Sequence, residues 1–223
     1  MRSSTLDERK AFVREHTVLA EVPLVPEARI HAATDVTPLW RATEVWLETT
    51  GVDVPFWCVP WAGGQALARW VLDHPEVVRG RRVVDFGAGS GLVGIAAARA
   101  GAASVRAVDI DPLAEAACWL NAAANAVAID VLCADIVDAE PRLIEADVLL
   151  AGDVWYERAA AARFGPWLAR LVASGVRVVT GDPERAYAPS SARELARYDV
   201  PTCADLEPAP VRLTRVLDLD VHP

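Results

Sequence analysis

Apolar positions beyond residue 81 fall into short runs that alternate with longer segments of helical spacing. The short runs are rich in valine, isoleucine and leucine and predict strands at 82–86, 104–108, 130–133, 146–151 and 175–180. The longer segments predict helices at 91–100, 112–124, 157–173 and 190–197. Two more strand-like stretches follow, near 198–203 and 211–219. This order predicts an α/β fold with a mostly parallel, Rossmann-like sheet, helices on both faces and an antiparallel pair at its end.

The first 54 residues follow a different pattern, and we expect them to form a helical or irregular extension (1–54) to a domain over 55–223. Residues 5–16 predict a short helix, which Thr5 caps with Glu8 three residues later, as in a capping box. Two further segments with helical spacing lie at 39–48 and 65–74.

Charge and composition narrow the classes of partner. The chain has 223 residues, of which 53% are apolar, and a formal net charge of −9. Binding through phosphate neutralisation needs a basic surface, so we expect no nucleic-acid partner. No run of roughly 18 apolar residues and no secretory signal pattern is present, so we expect a cytoplasmic protein without membrane contact. The four cysteines are widely spaced and form no C-x-x-C pair, which argues against a metal site or a disulfide framework.

Residues 83–94, VVDFGAGSGLVG, predict a buried strand, a glycine-rich turn and the start of a helix. The turn residues that we expect to contact a ligand through the backbone are Gly87, Ala88, Gly89 and Gly91. Gly89 to Gly94 satisfies G-x-G-x-x-G, and Asp109 follows at a spacing that is compatible with a nicotinamide or flavin dinucleotide. The other candidate ligand is S-adenosylmethionine, whose methyltransferases carry an acid followed by alternating glycines.

Asp85, two residues before the first glycine, distinguishes the two ligands by charge. A dinucleotide places a doubly negative pyrophosphate on such a turn, and a carboxylate at the strand end would repel it. S-adenosylmethionine has no phosphate and brings an ammonium group, which a carboxylate can hold through charge-assisted hydrogen bonds. The residues of the turn therefore favour S-adenosylmethionine.

Acidic side chains also end the next two predicted strands. Asp109 can accept hydrogen bonds from ribose hydroxyls, and Asp135 can accept one from the adenine amino group. Ile110 and Ile136 would then cover the adenine ring. Ligands of open parallel sheets bind beyond the carboxyl ends of the strands, where these residues lie. The alternative is that the acids cap helices or lie in solvated loops.

The end of the fourth strand, AGDVWYE at 151–157, is the predicted acceptor side. Gly152 would let the backbone come close to the cofactor, and Asp153, Trp155 and Tyr156 would face the transferring methyl group. Methyl transfer is an in-line displacement, so alignment and a desolvated pocket are the main requirements. An amine acceptor must first lose its proton, and Asp153 can orient the amine or take the proton.

Aromatic residues are candidates for the walls of this acceptor channel, because ring faces favour cations: Trp57, Trp155 and Tyr156. Trp61 is a candidate for packing against the cofactor. The alternative for the tryptophans is packing in the core, since the chain contains eight of them.

The narrowest motifs are PFWCVPWAGGQALARWVLDHP (55–75) and TGDPERAYAP (180–189), with the glycine segment, AVDIDP and AGDVWYE between them. Together they resemble the seven-β-strand lysine methyltransferases that act on the β-subunit of electron transfer flavoprotein. The resemblance implies a seven-stranded sheet with an antiparallel terminal strand, S-adenosylmethionine as donor and a lysine of that β-subunit as acceptor. It implies a substrate-side role for Asp153 and Tyr156. It also implies cofactor contacts from Trp61, Asp85, Gly87, Gly89, Gly91, Asp109 and Asp135.

Three other hypotheses stay open from the residues alone. The chain could methylate a small molecule or a ribosomal protein instead. The embedded G-x-G-x-x-G is compatible with a dinucleotide-dependent oxidoreductase. A binder that shields electron transfer flavoprotein without modifying it is the non-enzymatic alternative.

Overall fold

Helices and strands alternate through the part of the chain that the computed structural model describes, residues 4–33, 55–202 and 209–219. The helices are α1 (Leu6–His16), α2 (Ala62–Asp73), α3 (Leu92–Arg99), α4 (Pro112–Ala124), α5 (Pro141–Ile144) and α6 (Arg158–Ala173). The strands are β1 (Val18–Val22), β2 (Val25–Ala32), β3 (Arg82–Phe86), β4 (Ser104–Asp109), β5 (Asp130–Cys133), β6 (Val148–Gly152), β7 (Arg177–Asp182), β8 (Arg193–Pro201) and β9 (Val211–Asp218). No helix of these residues is long and apolar enough to cross a bilayer. The helix predicted at 39–48 lies outside the described residues.

Seven of the described strands form one sheet in the order β5-β4-β3-β6-β7-β9-β8. The strands β3 to β7 are parallel to one another, whereas β9 runs antiparallel between β7 and β8. The chain leaves β3 toward β4 on one side and later returns to β6 on the other. This reversal makes a topological switch point at the carboxyl ends of β3 and β6. The predicted α/β sheet, mostly parallel with an antiparallel terminal strand, is confirmed.

Successive side chains of the central strands point to opposite faces of the sheet and pack into two separate apolar layers, as the two-residue period of a strand requires. Val83, Leu150 and Val179 belong to the layer that packs with α2 and α3. Their neighbours Val84 and Leu149 belong to the opposite layer, which includes the buried side of α6. Helices therefore cover both faces of the sheet, and the residues that end the parallel strands are left at one edge.

The helix predicted at 190–197 is wrong, because residues 193–197 begin an edge strand and 190–192 precede it. Strand β8 pairs antiparallel with β9 along its whole length. Leu195 and Tyr198 on β8 pack against the apolar layer that contains α2. Arginine, glutamate, leucine and alanine favour a helix in isolation, but this preference is weak. The hydrogen bonds to β9 and the packing of these two side chains outweigh it.

Residues 4–33 pack directly on the sheet domain. The predicted capping box is present, since the Thr5 hydroxyl accepts from the backbone of Glu8 and the Glu8 side chain accepts from the backbone of Thr5. Helix α1 packs along α4, with Val13 fully buried in their shared apolar cluster. Strands β1 and β2 form a hairpin that the hydrophobic pattern did not predict. Val25 and Ile30 of β2 belong to the same core as α2 and α3.

Two buried asparagines, Asn121 on α4 and Asn125 directly after it, hold the hairpin on the domain by hydrogen bonds. The Oδ1 of Asn121 accepts from the His31 N–H at 2.7 Å, and the Oδ1 of Asn125 accepts from the Arg29 N–H at 3.0 Å. The Nδ2 of Asn121 also donates to the carbonyl oxygen of Ser90 at 2.8 Å. Because Ser90 lies in the glycine turn after β3, one side chain joins the N-terminal segment to that turn.

Three glycines allow α2 to lie directly on the ends of β6 and β7, and they are Gly63, Gly152 and Gly181. Gly152 and Gly181 are paired across these strands, and they face Gly63 and Gly64 in the first turn of α2. A Cβ on Gly152 would lie 2.8 Å from the Cα of Gly64, and a Cβ on Gly181 would overlap the carbonyl oxygen of Gly63. This backbone contact brings the N-terminus of α2 against the residue that follows β6.

Candidate active site

The turn between β3 and α3 has backbone angles that glycine favours. Gly87, Gly89 and Gly91 have φ values of +63°, +51° and +76°, in the left-handed region. At Gly91 a Cβ would also lie 3.0 Å from the Sγ of Cys118. Ala88 donates its N–H to the carbonyl oxygen of Val108 on β4 at 3.1 Å. The turn is thereby fixed at the carboxyl end of the sheet, where the sequence predicts the cofactor.

Asp85 lies at the end of β3 beneath this turn and is 1% exposed. Its Oδ2 accepts from the backbone N–H of Gly94 in α3 at 2.8 Å. Burial raises the pKa of this carboxyl to about 7, although the Gly94 hydrogen bond opposes the rise and the Asp109 charge adds to it. A buried carboxyl of this kind gains most from an incoming cation, because the cation restores the stabilisation that water would have given.

Asp109 ends β4 and stabilises the glycine turn. Its Oδ2 accepts from the Gly89 N–H at 2.8 Å, and its Oδ1 accepts from the Asp111 N–H at 3.0 Å. Burial raises the pKa of Asp109, and these backbone hydrogen bonds lower it in part. Each carboxylate oxygen has a second lone pair that can accept from a ribose hydroxyl. The predicted ribose contact therefore stays a prediction that the geometry allows.

Asp135 follows β5 and is held in an ion pair at the surface. Its Oδ2 lies 2.6 Å from the Nη1 of Arg163 on α6, and its Oδ1 accepts from the Val137 N–H at 3.0 Å. Ile110 is 72% exposed beyond β4, while Ile136 is partly buried against the α6 layer. The exposed Ile110 side chain is consistent with a surface that a ring would cover. The adenine contacts of Asp135, Ile110 and Ile136 stay predictions.

Asp153 follows β6 and is buried beneath the start of α2. Its φ is +60°, an uncommon value for a residue other than glycine. Its Oδ2 accepts from the Gly63 N–H at 3.1 Å, so the carboxylate caps α2 from another part of the chain. Its Oδ1 forms an ion pair with the Nε of Arg185 at 2.8 Å. Both oxygens of the predicted acceptor-side carboxylate are therefore already bonded.

Gly152, predicted to admit the cofactor, has another role in the fold. The space of its missing side chain is filled by Gly64 of α2 and by Val93. Its small size is therefore explained by helix packing. The contact of Gly152 with the cofactor stays a prediction.

Trp57 and Trp155 belong to the core, and their prediction as walls of an acceptor channel is wrong. Trp57 is 1% exposed and packs in the apolar cluster of α1 and α4. Trp155 is buried in the α6 layer, where its Nε1 donates to the Oγ1 of Thr180 at 2.9 Å. Burial of such large rings contributes more to the stability of the fold than exposure at a channel would.

An aromatic rim made of Phe56, Trp61 and Tyr156 lies at the surface instead. The ring centroids of Phe56 and Tyr156 are 5.3 Å apart, and those of Phe56 and Trp61 are 5.8 Å apart. Tyr156 is 50% exposed, and the Nε1 of Trp61 donates to the Phe56 carbonyl oxygen at 2.8 Å. Tyr156 is thus accessible to a substrate, as predicted for a wall residue. Phe56 was not singled out, although it stands in the same aromatic loop.

Two residues near Asp153 were not predicted to belong to the site, and they are Arg185 and Asp182. Asp182 ends β7 and is fully buried, and its carboxylate oxygens accept from the Arg185 N–H at 3.3 Å and 3.2 Å. Burial raises the pKa of Asp182, and the Arg185 hydrogen bond and the charge of Arg215 lower it in part. The signal was present in the GDPER segment, where two acids and an arginine follow a predicted strand.

The groups at the end of β3 and β4 fit an amino-acid and ribose ligand better than a pyrophosphate. The carboxylate of Asp109 bonds to the turn that would cradle the ligand, and that of Asp85 bonds to the first turn of α3 directly behind it. Within residues 4–33, 55–202 and 209–219, no basic side chain forms an ion pair with either of them. A pyrophosphate would add negative charge to this site, whereas an ammonium group would offset the buried charge.

Comparison with known proteins supports the same assignment. The family model of ribosomal protein L11 methyltransferase (PrmA) matches residues 67–152. The electron transfer flavoprotein beta subunit lysine methyltransferase of Xenopus laevis is 37% identical over 180 residues, 79% of this chain and 71% of that protein. The protein of the same name from Homo sapiens is 36% identical over 182 residues, 80% of this chain and 67% of that protein.

The solved structure of TrmN from Thermus thermophilus has the same fold, with a TM-score of 0.50 and 23% identity over 68% of this chain and 47% of that chain. The methyltransferase relatives establish S-adenosylmethionine as the cofactor and exclude the dinucleotide-dependent oxidoreductase. Because identity to the curated relatives extends over at least two thirds of each protein, this chain is an S-adenosylmethionine-dependent methyltransferase of the electron transfer flavoprotein β-subunit lysine methyltransferase family.

Proposed function

We propose that this protein methylates lysine side chains on the β-subunit of electron transfer flavoprotein. The names of the relatives that are 36% and 37% identical to this chain over the aligned residues support this substrate. The observation that carries the proposal is the acceptor side itself, where Asp153 follows β6 and Tyr156 of the aromatic rim lies three residues further along the same loop. Exposed ring faces with a carboxylate on the same loop suit a long cationic side chain better than a neutral or an anionic acceptor.

Each part of the site has a role that follows from its contacts. The bound cofactor supplies an electrophilic methyl group. Asp85 offers a buried carboxylate to the ammonium group of the donor, and the glycine turn presents its backbone groups to the same molecule. The aromatic rim guides the methylene chain of the acceptor lysine and keeps water from its nitrogen.

Asp153 orients the acceptor nitrogen and does not take its proton. Its two oxygens already accept from Gly63 and Arg185, so one lone pair of each oxygen is already used. The lone pairs that remain can still accept from an amine and fix its direction. Alignment of this kind accounts for a large part of the rate of a displacement reaction.

Incubation of the pure protein with labelled donor and intact electron transfer flavoprotein tests the proposal. We expect label on lysines of the β-subunit, located by mass spectrometry. The Asp153→Asn variant should lower kcat roughly 10- to 100-fold, because the amide can still cap α2 but orients an amine less well. The matched control is Asp199→Asn, at an exposed position of β8, which should keep the wild-type rate. Unlabelled β-subunit with strong labelling of another substrate would reject the proposal.

A ribosomal-protein acceptor is the second candidate, because the PrmA family model matches part of the chain. That match ends at Gly152, one residue before Asp153. It therefore covers the donor side, which is formed by Asp85, the glycine turn and Asp109. It leaves out Asp153 and Tyr156, which would contact an acceptor. Ribosomal protein L11 belongs in the same labelling experiment as a competing substrate. The cytoplasmic location stays a prediction.

A further inference from the structure

An ion pair between Arg185 and Asp153 lies at the centre of the acceptor side. The Nε of Arg185 is 2.8 Å from the Oδ1 of Asp153, and the two side chains are 21% and 4% exposed. The backbone N–H of Arg185 donates to the buried Asp182 carboxylate, which fixes the loop after β7. The guanidinium is therefore held beside Asp153 by its own loop.

The neighbouring charges have partners of their own. Asp182 on β7 lies 3.5 Å from the Nη2 of Arg215 on β9, and Glu184 lies 4.0 Å from the Nε of Arg215. Helix α2 faces Asp153 with the backbone N–H of Gly63 and not with a charged side chain. Apart from Asp153 itself, the titratable groups on the loop after β6 are Tyr156 and Glu157, and both are exposed. Arg185 is thus the cation in direct contact with Asp153 among the described residues.

The protonation state of the acceptor makes this pairing important. A lysine amine has an ordinary pKa of about 10.4 and reacts only in its uncharged form. An isolated carboxylate would stabilise the ammonium form and raise that pKa, which slows the reaction at neutral pH. A neighbouring positive charge has the opposite effect. The guanidinium keeps its charge at every pH at which an enzyme works.

We propose that Arg185 is a positioning residue whose fixed positive charge offsets that of Asp153, so that the acceptor lysine is held in its uncharged form. The proposal rests on the proposed function, because it requires an amine acceptor at Asp153. Asp153 then supplies direction through hydrogen bonding without trapping the ammonium ion. Arg185 needs no contact with the reacting atoms.

The step is balanced with groups that the reaction already contains. The acceptor ammonium first loses one proton to solvent. The nitrogen lone pair then forms the new N–C bond as the S–CH3 bond breaks, and the electron pair of that bond returns to sulfur. The product is a methylammonium group beside a neutral thioether.

The test is the pH dependence of kcat and KM with electron transfer flavoprotein as substrate, for wild type, Arg185→Gln and Arg185→Lys. In Arg185→Gln we expect the acid limb of kcat to move about one unit toward higher pH, so that kcat near pH 7 falls about tenfold and recovers in alkaline solution. KM should not rise, because a less neutralised Asp153 attracts the ammonium ion more strongly. Arg185→Lys keeps the charge and should keep the wild-type limb.

Two further variants separate this role from a structural one. In the double variant Asp153→Asn with Arg185→Gln, both charges are gone, and the acid limb should return toward its wild-type position even though kcat stays low. A purely structural role predicts no such return. Arg215→Gln removes a neighbouring cation that pairs with Asp182, and it should leave the limb within a few tenths of a unit.

The outcomes distinguish the two proposals. If wild type leaves the β-subunit lysines unlabelled, the proposed function and this inference both fail. If wild type labels them but Arg185→Gln has an unchanged acid limb, only the role of Arg185 is overturned. Affinity for S-adenosylhomocysteine reports on the fold of each variant, since Arg185 lies outside the donor side, and we expect it to be unchanged. If Arg185→Gln does not fold, Arg185→Lys supplies the test. An acid limb of kcat that moves about one unit toward higher pH in this variant, although the charge is kept, would equally overturn the inference.

Discussion

The donor side and the acceptor side of this site are built from carboxylates in different ways. On the donor side, Asp85 bonds to a backbone group in the first turn of α3 and Asp109 to one in the glycine turn, only 9 and 20 residues away in sequence. On the acceptor side, Asp153 bonds to Gly63 and Arg185, which are 90 and 32 residues away. A local segment therefore encodes the donor side, whereas the tertiary fold assembles the acceptor side.

The charges of the two sides differ as well. Burial raises the pKa of Asp85 to about 7 and raises that of Asp109, with no ion-pair partner for either among the described residues. Asp153 has its cation, Arg185, already in contact. The carboxylate that we propose for the donor ammonium group thus has no cation beside it, whereas the one that we propose for the acceptor amine is already paired. Four changes test this comparison.

The largest effect is expected where the acceptor side depends on the fold. Gly181→Ala places a Cβ against the carbonyl oxygen of Gly63, so α2 must move away from β6 and β7. Overpacking of this kind costs about 3 kcal/mol of the free energy of unfolding. Urea unfolding monitored by tryptophan fluorescence measures it.

Gly64→Ala is the matched control in the same helix turn, because its Cβ would meet no atom within 4 Å. Alanine is a better helix former than glycine, so this variant should be more stable by about 0.5–1 kcal/mol. Equal losses of stability in both variants would show that the contact between α2 and the strands is looser than the structure has it.

The next effect concerns the donor side alone. Asp85→Asn keeps an oxygen for the Gly94 N–H but removes the charge that we assign to the donor ammonium group. Loss of a charged hydrogen bond should weaken S-adenosylhomocysteine binding by about 1.5–3 kcal/mol, roughly 10- to 100-fold. Isothermal calorimetry measures the dissociation constant. An unchanged constant would remove Asp85 from the cofactor site.

The pH dependence of donor binding is smaller and has a defined sign. Since burial raises the pKa of Asp85 to about 7, the carboxylate is mostly protonated at pH 6 and mostly ionised at pH 8. Affinity for S-adenosylhomocysteine should therefore fall about tenfold from pH 8 to pH 6. Stability without ligand changes in the opposite direction: the contribution of protonated Asp85 is present at acid pH and is lost as the pH rises through about 7.

Asp85→Asn is the control for this pH dependence as well. Its affinity should be lower than that of wild type at pH 8 and nearly constant between pH 6 and pH 8. If the variant keeps the wild-type slope, another group titrates, and Asp111 is then the next residue to change, because burial raises its pKa to about 7 too.

The contrast between the two sides explains how much the sequence could predict. The parallel strands and the glycine turn were predicted because apolar runs and left-handed glycines carry local signals. Asp85 and Asp109 were placed at strand ends for the same reason. Asp153 was also placed at a strand end, but its bonds to Gly63 and Arg185 join three distant segments and have no local signal.

The failures have a common physical cause. Residues 193–197 of β8 were predicted as a helix because the stability of this strand comes from pairing with β9, and the intrinsic preference of these residues indicates the opposite. Trp57 and Trp155 were candidates for a channel as well as for the core, because an aromatic side chain in a loop looks the same in sequence whether it faces a ligand or the core. In both cases tertiary contacts decide, and only the fold contains them.

The smallest effect concerns Asp135. It either accepts a hydrogen bond from adenine directly or holds the loop after β5 in place through its ion pair with Arg163. Arg163 holds Asp135 and also pairs with Asp138 at the surface. Because exposed pairs contribute little, Arg163→Gln should leave the thermal midpoint nearly unchanged. If Asp135 accepts directly from adenine, S-adenosylhomocysteine affinity in Arg163→Gln should equal or slightly exceed that of wild type, since a competing donor is gone. Asp135→Asn should then weaken binding about fivefold. Equal weakening in both variants would mean that Asp135 serves the site by holding the loop after β5 in place through Arg163, and the predicted adenine contact would be wrong.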